Sequence, residues 1–317
     1  MRLHLQVGVV CAAVMSIAAC SAGSTADADG VRMSGRHDAD GPQVYQVALE
    51  DARARRLDQV RAPDGWLSYT GSGRLRAGRY RVGSDPHSDL VLPAGPGQLG
   101  ELSLDTEGHV RFRAAAGVPV RLNGQPVVEV GLEPERAGQR GDRLDVENRQ
   151  FYLVQTGTLF GWRFRDPGAA TIRRFQGFDY FPTDPQWRVK ARWQPYATPR
   201  SITLLTSIGT PLTVDVPGEA VFKRDGREYR LQPIMQDDGS GLFFLFADRT
   251  SGKESYGGAR YLFTAMPSGG QVTLDFNLAE NPPCAFTPHV VCPIAPLQNR
   301  LDVAVDAGEK TYRAPDP

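Results

Sequence analysis

Short apolar runs recur along most of the chain, and clusters of Gly, Pro, Asn and Asp separate them. Within many of these runs apolar and polar residues alternate, which is typical of a β-strand with one buried face. Six runs precede residue 166, at 80–82, 89–92, 110–113, 118–122, 151–155 and 161–165. Eight follow it, at 188–193, 201–207, 212–216, 220–223, 227–233, 242–247, 261–265 and 272–276. The pattern predicts a mainly β protein.

A charged, turn-forming interval (RDPG, residues 165–168) divides these runs into two sets. Each set is large enough for a β-sandwich or barrel. In the second set, the Asp-Gly pairs at 225–226 and 238–239 are hairpin signals. We predict an N-terminal β-sandwich over residues 63–166, followed by a C-terminal antiparallel β-sandwich or barrel over residues 167–317.

One segment has a helical pattern instead. Before Pro63, charged residues surround a thin apolar stripe formed by Val47, Leu49 and Leu57. This spacing is typical of an amphipathic helix, and proline commonly follows the end of one. We predict a single short helix within residues 42–62.

The chain opens with an apolar run over residues 5–19, and Cys20 follows two alanines. Small residues before a cysteine at the end of such a run indicate a bacterial lipoprotein signal. An ordinary secretory peptide and a membrane-spanning anchor are the alternatives, but the run is shorter than the ~20 residues that cross a bilayer. We expect residues 1–19 to be removed and Cys20 to carry lipid, palmitate included. Residues 20–41 are small, polar and free of aromatic residues, so we predict a disordered tether.

The charge balance limits the kinds of binding partner that we expect. Lys plus Arg and Asp plus Glu both number 36, so the chain has no net charge to attract nucleic acid. The partners that we expect are the membrane, through the lipid on Cys20, and a small-molecule ligand. We expect no cofactor, and the pattern names no protein partner. The predicted location is the cell envelope, on the periplasmic or outer side.

A proline-rich stretch, ENPPCAFTPHVVCPIAP at residues 280–296, contains Cys284, His289 and Cys292. In an exported chain, a disulfide between the two cysteines would close a loop of about nine residues and stabilise the fold by ~2–3 kcal/mol. A metal site formed by all three residues is a second alternative, although their spacing matches no standard zinc pattern. A reactive thiol with His289 as its base, or two free cysteines, are the others. We favour the disulfide.

Polar side chains gather at the ends of two predicted strands near position 250. In the segment FADRTSGKESYGGARYL, residues 246–262, one strand ends at Asp248, and Tyr256 and Arg260 lead into the next. Polar groups at the mouth of a β-barrel commonly bind ligands. A structural ion pair between Asp248 and Arg260 is the alternative.

A second polar set follows along the chain. Asp275 and Asn277 alternate with apolar residues, so their side chains point to one face, and Asn281 lies in the next turn. If neighbours in sequence are neighbours in the sheet, all three converge with Tyr256 and Arg260 on a pocket for an anionic or sugar-like ligand. Asparagines in turns also commonly cap backbone groups.

The N-terminal set of strands resembles a forkhead-associated domain. The residues that carry the resemblance are RVGS at 81–84, SDLVLP at 88–93, LNG at 122–124, GDRL at 141–144 and FYL at 151–153. The resemblance implies a β-sandwich. Ser84 stands where that family has an arginine, and residues 100–104 do not offer the family's serine and histidine at the right spacing. Because phosphate recognition requires a cation in these loops, we expect a scaffold that does not bind phosphothreonine.

A second resemblance covers nearly the whole chain after Cys20. The chain resembles the bacterial and archaeal family called domain of unknown function 1684, through its segments PDGWL at 63–67, 78–85, FDYFP at 178–182, FADRTSG at 246–252, YGGARY at 256–261, DFN at 275–277 and NPPCAFTP at 281–288. The family's name implies no activity.

Together these patterns predict a lipid-anchored envelope protein that binds a small molecule or envelope component in a polar pocket of its C-terminal domain. The first alternative is a hydrolase or metal-dependent enzyme that uses Cys284, His289 and Cys292 with the carboxylates Asp248 and Asp275. No Gly-x-Ser-x-Gly, His-Glu-x-x-His or phosphate-loop motif supports it, so the sequence leaves enzymatic activity open. The second alternative is a protein-interaction module built on the N-terminal sandwich.

Overall fold

A computed structural model describes residues 41–136, 139–236 and 238–314. The predicted signal sequence, Cys20 and nearly all of the predicted tether lie outside these residues. Within the described ranges, no helix is both long enough and apolar enough to cross a membrane.

The N-terminal helix is confirmed, and it begins and ends close to the predicted bounds. Helix α1 spans Pro42–Arg61, with proline in its first turn, where its missing N–H costs no hydrogen bond. Its buried residues are Leu49, Arg56 and Val60, whereas Val47 of the predicted stripe is 58% exposed. The face that α1 buries therefore contains a charged residue, which the apolar pattern does not reveal.

The first half of the chain forms two sheets. Their strands are β1 (Tyr69–Leu75), β2 (Gly78–Gly83), β3 (Leu90–Val91), β4 (Gly100–Leu104), β5 (Val110–Ala114), β6 (Val120–Leu122), β7 (Gln125–Val127), β8 (Glu129–Leu132), β9 (Leu144–Val146), β10 (Arg149–Thr156) and β11 (Leu159–Arg165). A six-stranded sheet has the order β1-β11-β10-β9-β6-β7, and a five-stranded sheet has the order β3-β2-β4-β5-β8.

These two sheets enclose one apolar core. Leu102 and Phe112 of the five-stranded sheet pack with Phe151 and Phe164 of the six-stranded sheet. Side chains alternate between the two faces along a strand, so the neighbours of Phe151 and Phe164 on β10 and β11 point to the outer face of the six-stranded sheet. Arg163 is one of them, and this outer face contacts the second half of the chain.

The second half contains a short helix, α2 (Ala170–Arg174), and seven strands. They are β12 (Arg188–Leu205), β13 (Pro211–Arg224), β14 (Arg227–Leu231), β15 (Ile234–Met235), β16 (Gly241–Phe246), β17 (Arg260–Ala265) and β18 (Gln271–Asp275). They form a four-stranded sheet, β14-β13-β12-β18, and a three-stranded sheet, β15-β16-β17. The two predicted Asp-Gly turns join antiparallel neighbours, β13 to β14 and β15 to β16.

Both C-terminal sheets contribute to a second core, which includes Phe222 of β13, Phe244 of β16 and Leu274 of β18. After β18 the chain makes short 3₁₀ turns and otherwise irregular structure, and Val305 and Ala307 of this segment complete the core. The prediction of a mainly β fold with sandwich-like packing and one N-terminal helix is thus confirmed. The forkhead-associated resemblance of the first half stays a prediction.

Candidate functional site

Three charged side chains from distant parts of the sequence meet where α1 packs against the second half of the chain. Arg56 Nε of α1 lies 3.2 Å from Glu280 Oε2 and 3.1 Å from Glu309 Oε1. Arg56 also donates from Nη2 to the carbonyl oxygen of Asn281, at 2.8 Å. We call these four residues the Arg56 cluster.

Backbone pairing fixes the two carboxylates in place. Glu280 and Tyr261 of β17 exchange two backbone hydrogen bonds, both 2.9 Å long. Glu309 N donates to Ala279 O at 2.8 Å. Gly308 has φ +80°, and a Cβ there would lie 2.5 Å from Ala279 O, so only glycine allows Glu309 to approach this closely.

The two carboxylates differ in how fully they are bonded. Glu309 Oε1 accepts from Arg56 Nε, and its Oε2 accepts from Asn281 N at 2.7 Å and Asn281 Nδ2 at 2.9 Å. Its side chain is 2% exposed. Glu280 shares the charge of Arg56, but we find no hydrogen-bond donor to its carboxylate among the described residues. Its side chain is 21% exposed, so Glu280 is the carboxylate of the cluster that solvent reaches.

Aromatic rings surround the cluster. The Cζ atom of Arg56 lies 5.6 Å from the ring centroids of both Phe178 and Phe286. Tyr180 pairs with Glu309 through a backbone bridge, and Arg53 stacks on its ring at 4.1 Å. Burial raises the pKa of Tyr180 above its ordinary value, and the charge of Glu309 adds to the effect. The tyrosine is therefore neutral and serves as a ring and a hydroxyl group.

Glu280 is the group of this cluster with an altered proton affinity at neutral pH. The pKa of Glu280 is raised to about 7, mainly by burial; the charge of Arg56 opposes this increase, and the charge of Glu309 adds to it. A carboxyl group of this kind exists in both protonation states at neutral pH. It can therefore accept a hydrogen bond from a ligand or exchange a proton with it.

This pKa predicts a pH dependence of stability. Between the ordinary pKa of 4.5 and about 7, folded Glu280 holds a proton that the unfolded chain releases. Its stabilising contribution is therefore complete below 4.5 and is lost as the pH rises through 7, which amounts to about 3 kcal/mol. Glu280→Gln, which resembles the protonated form, should lack this loss. Urea denaturation of both proteins from pH 5 to pH 8 measures it, and parallel curves would contradict the assignment.

Asp248 and Arg260 of the predicted pocket form an ion pair. Arg260 Nη2 lies 2.5 Å from Asp248 Oδ2, and both side chains are fully buried. Arg260 also donates to Val305 O at 2.7 Å and to Ala307 O at 2.5 Å. The pair therefore joins β17 to the C-terminal segment, and Tyr256, half-buried in the loop before β17, is not part of it.

Asp275 and Asn277 form a separate group with α1. The hydroxyl of Tyr45 donates to Asp275 Oδ1 at 3.0 Å, and Asn277 Nδ2 donates to the Tyr45 hydroxyl oxygen at 3.0 Å. Burial raises the pKa of Tyr45, and the charge of Asp275 adds to this. Asn277 Nδ2 also donates to Asp184 O at 2.9 Å.

The structure thus divides five of the six predicted ligand residues among three places, and the sixth, Tyr256, lies apart from all three. It brings together Asp248 with Arg260, Asp275 with Asn277, and Asn281 with the Arg56 cluster. Sequence reasoning missed Arg56, Glu280 and Glu309. A signal was available only at Glu280, a charged residue directly before the singled-out Asn281.

The two cysteines of the proline-rich stretch form the favoured disulfide. Cys284 and Cys292 are bonded, with their Cα atoms 6.2 Å apart, within the usual range of roughly 4.4–6.8 Å. The bridge packs against Tyr69 and Tyr152 on the outer face of the six-stranded sheet. A cystine offers no thiolate, so a metal site with His289 or a nucleophilic thiol would first require its reduction. His289 itself bonds Ser72 Oγ through Nδ1, at 3.0 Å.

One group of possible metal ligands lies elsewhere in the described part of the chain. The ligand atoms of Asp105, Glu107 and His109 lie within 4.8 Å of one another, and all three residues are exposed. Asp105 Oδ1 accepts hydrogen bonds from the backbone N–H groups of Glu107 and His109, both at 2.9 Å. This turn accounts for their proximity without a metal ion.

Fold and site together define a mainly β protein whose second half carries a buried charged cluster completed by an N-terminal helix. Residues 173–310, in the C-terminal part of the chain, match the family model described as protein of unknown function (DUF1684). The match includes Glu280, Asn281 and Glu309. It is narrower than the predicted resemblance and does not include α1 or the N-terminal sandwich.

A solved structure also matches the chain. It is the solution NMR structure of an uncharacterized protein from Haloarcula marismortui, with 38% identity, a TM-score of 0.37, and coverage of 43% of this chain and 77% of the other. No curated protein matches the chain.

Proposed function

We propose that the protein is a lipid-anchored envelope protein that binds a small ligand, bearing an ammonium or hydroxyl donor, at Glu280. The observation that carries this proposal is the contrast between the two carboxylates of the Arg56 cluster. Glu309 is buried with three hydrogen bonds, whereas Glu280 has a carboxylate that no described residue donates to, and its side chain is 21% exposed. Glu280 is thus an acceptor without a donor in the described part of the chain, and the buried Oδ1 atom of the neighbouring Asn281 is a second one.

The chemistry of the cluster favours one class of ligand. A metal ion requires at least three ligands, and both Glu309 oxygens are already bonded. An anion would face the carboxylate of Glu280. An ammonium or hydroxyl group can donate to Glu280. Amino sugars carry both kinds of donor, which makes them suitable probes.

Binding of three matched probes tests the proposal. Glucosamine presents an ammonium group and hydroxyl groups, glucose presents hydroxyl groups alone, and ethylamine presents an ammonium group alone. We expect glucosamine to shift the amide NMR signals around residues 279–281 saturably, and Glu280→Gln to weaken this binding by roughly tenfold. Glu228→Gln on β14, which bonds Arg230, is the control and should bind as the wild type does. No saturable shift with any probe, or equal binding by Glu280→Gln, would contradict the proposal.

The anchor has its own test. The support for it is the apolar run that ends in Ala18, Ala19 and Cys20. We expect Cys20→Ala to move the protein from the membrane fraction to the soluble fraction without loss of stability, because the segment around it is small, polar and free of aromatic residues. Ser21→Ala is the matched control and should stay with membranes. Sedimentation of Cys20→Ala with membranes would show that the anchor assignment is wrong.

The pKa of Glu280 favours a second candidate function, acid–base catalysis. A carboxyl group with a pKa of about 7 can donate and accept a proton at neutral pH. In the hydrolase that the sequence offers as an alternative, Glu280 would then be the catalytic group, instead of Cys284, His289 and Cys292. Turnover of a chromogenic amino-sugar glycoside that disappears in Glu280→Gln would favour the enzyme, and binding without turnover would favour the binding protein.

For the N-terminal half, we propose a forkhead-associated-like scaffold without phosphothreonine recognition. Ser84, in place of an arginine, donates to Gly95 O at 2.8 Å, and the nearby Arg81 pairs with Asp89 at 3.1 Å. The Ser84 hydroxyl and the Arg81 guanidinium therefore both bind groups within their own loops. Saturable binding of a phosphothreonine peptide by the full chain, with unchanged affinity in Arg163→Gln, would contradict the scaffold role.

A further inference from the structure

An unusual set of arginines and tyrosines lies on the outer face of the six-stranded sheet. In the strand register, Tyr69 of β1 lies opposite Arg165 of β11, and Tyr152 of β10 lies opposite Arg163 of β11. Arg143, just before β9, stacks on the Tyr152 ring with its Cζ 3.7 Å from the centroid. We call these five residues the arginine face.

The arginine face has more cations than anions. Arg143 bonds Glu135, and Arg163 Nη1 lies 3.9 Å from the same carboxylate. The charge of Asp64 acts on Arg165, but we find no ion pair between the two side chains in the described ranges. Two guanidinium groups thus share the carboxylate of Glu135, and the Arg143 and Arg163 side chains are only 8% and 14% exposed. Partly buried charges normally have a partner of opposite sign.

The tyrosines fix the guanidinium groups without neutralising them. Tyr152 OH donates to the Tyr69 hydroxyl oxygen at 2.9 Å, and Arg165 Nη2 donates to the same oxygen. The Arg165 Cζ lies 4.3 Å from the Tyr69 ring centroid. Because the Tyr69 hydroxyl oxygen accepts both bonds, its own hydrogen is available to donate. Arg165 Nε is buried and has no hydrogen-bond partner among the described residues.

The disulfide loop lies against this face. Thr287 Oγ1 donates to Tyr69 O at 3.2 Å, and Val290 and Cys292 pack with Tyr69 and Tyr152. The arginine face is therefore at the junction of the two halves of the chain. Surplus guanidinium charge here is shielded from bulk solvent and acts more strongly than on an open surface.

We propose that the arginine face binds a small oxyanion, a phosphate or a carboxylate, at the junction of the two halves. Guanidinium groups match the planar, bidentate geometry of both groups, and partial burial strengthens the charge-assisted hydrogen bonds. Arg163, Arg165 Nε and the Tyr69 hydroxyl are the donors that remain for the ligand. This site is separate from Glu280 and takes a ligand of the opposite charge.

Titration of the full chain with inorganic phosphate and with citrate, against sodium chloride at equal ionic strength, tests the proposal. We expect saturable stabilisation against heat by at least one oxyanion and none by chloride, and the two salts distinguish phosphate from carboxylate. Arg163→Gln should weaken this binding by roughly tenfold or more, because it removes a charged donor to the oxyanion. The fold should tolerate the change, since the ion pair that Arg163 makes with Glu135 is 3.9 Å long.

Two further variants keep the result interpretable. Arg113→Gln on β5, an exposed arginine 3.7 Å from Glu129, should bind the oxyanion as the wild type does. Arg163→Lys, which keeps the charge but loses the bidentate geometry, should bind with intermediate affinity. Equal stabilisation by oxyanions and chloride, or unchanged affinity in Arg163→Gln, would overturn the proposal.

Discussion

Replacing Arg260 by methionine is expected to lower the free energy of unfolding by about 3–5 kcal/mol, since removal of one partner leaves a buried charge without compensation. Arg260 and Asp248 are both fully buried, so Asp248 would have to take up a proton or become hydrated. The carbonyl groups of Val305 and Ala307 would also lose their donors. Urea denaturation at neutral pH measures the change.

Arg249→Met provides the matched control. Arg249 lies one residue from Asp248 and pairs with Asp302 at 2.6 Å, but both side chains of this pair are 61% exposed. Exposed ion pairs contribute roughly 0–1 kcal/mol, so this variant should stay close to the wild type. Similar losses in the two variants would show that burial does not determine the strength of the Arg260 pair.

Arg56→Gln should have the second large effect, again about 3–5 kcal/mol at neutral pH. The substitution leaves Glu280 and Glu309 side by side without the cation that both contact. It also removes a link between α1 and the rest of the protein, so α1 should become accessible to protease. The loss should be larger at pH 8 than at pH 5, because protonation relieves the repulsion between the carboxylates.

Arg55→Gln is the control for this prediction, since Arg55 is exposed on the same helix. It should change neither the stability nor the cleavage of α1. If Arg56→Gln is as stable as Arg55→Gln at pH 8, the Arg56 cluster does not hold α1 in place.

The sequence predicted the β fold because alternation is a local property, and the Asp-Gly turns at 225–226 and 238–239 are equally local. The helix was predicted from its apolar residues, but its buried face consists of Leu49, Arg56 and Val60. Arg56 packs against carboxylates and so interrupts the apolar spacing of the buried face. The apolar pattern therefore predicts the helix but not all of the residues that it buries.

The candidate site was only partly predictable for a related reason. Asn281 was singled out, but its partners Arg56 and Glu309 lie 225 and 28 residues away in sequence. The spacing of neighbouring residues cannot predict these contacts, because they depend on how α1 and the C-terminal segment pack together. By contrast, the disulfide was predictable because Cys284 and Cys292 are separated by only 8 positions in the sequence.

Carboxyl-carbon NMR of Glu280, followed from pH 4 to pH 9 with and without saturating glucosamine, tests the central claim most directly. We expect the Glu280 signal, assigned by its loss in Glu280→Gln, to titrate near pH 7 in the free protein. An ammonium ligand favours the ionised carboxylate, so glucosamine should lower this pKa, whereas glucose, which donates only neutral hydrogen bonds, should lower it less. Titration near the ordinary value of 4.5, or a pKa near 7 that glucosamine leaves unchanged, would contradict a ligand site at Glu280.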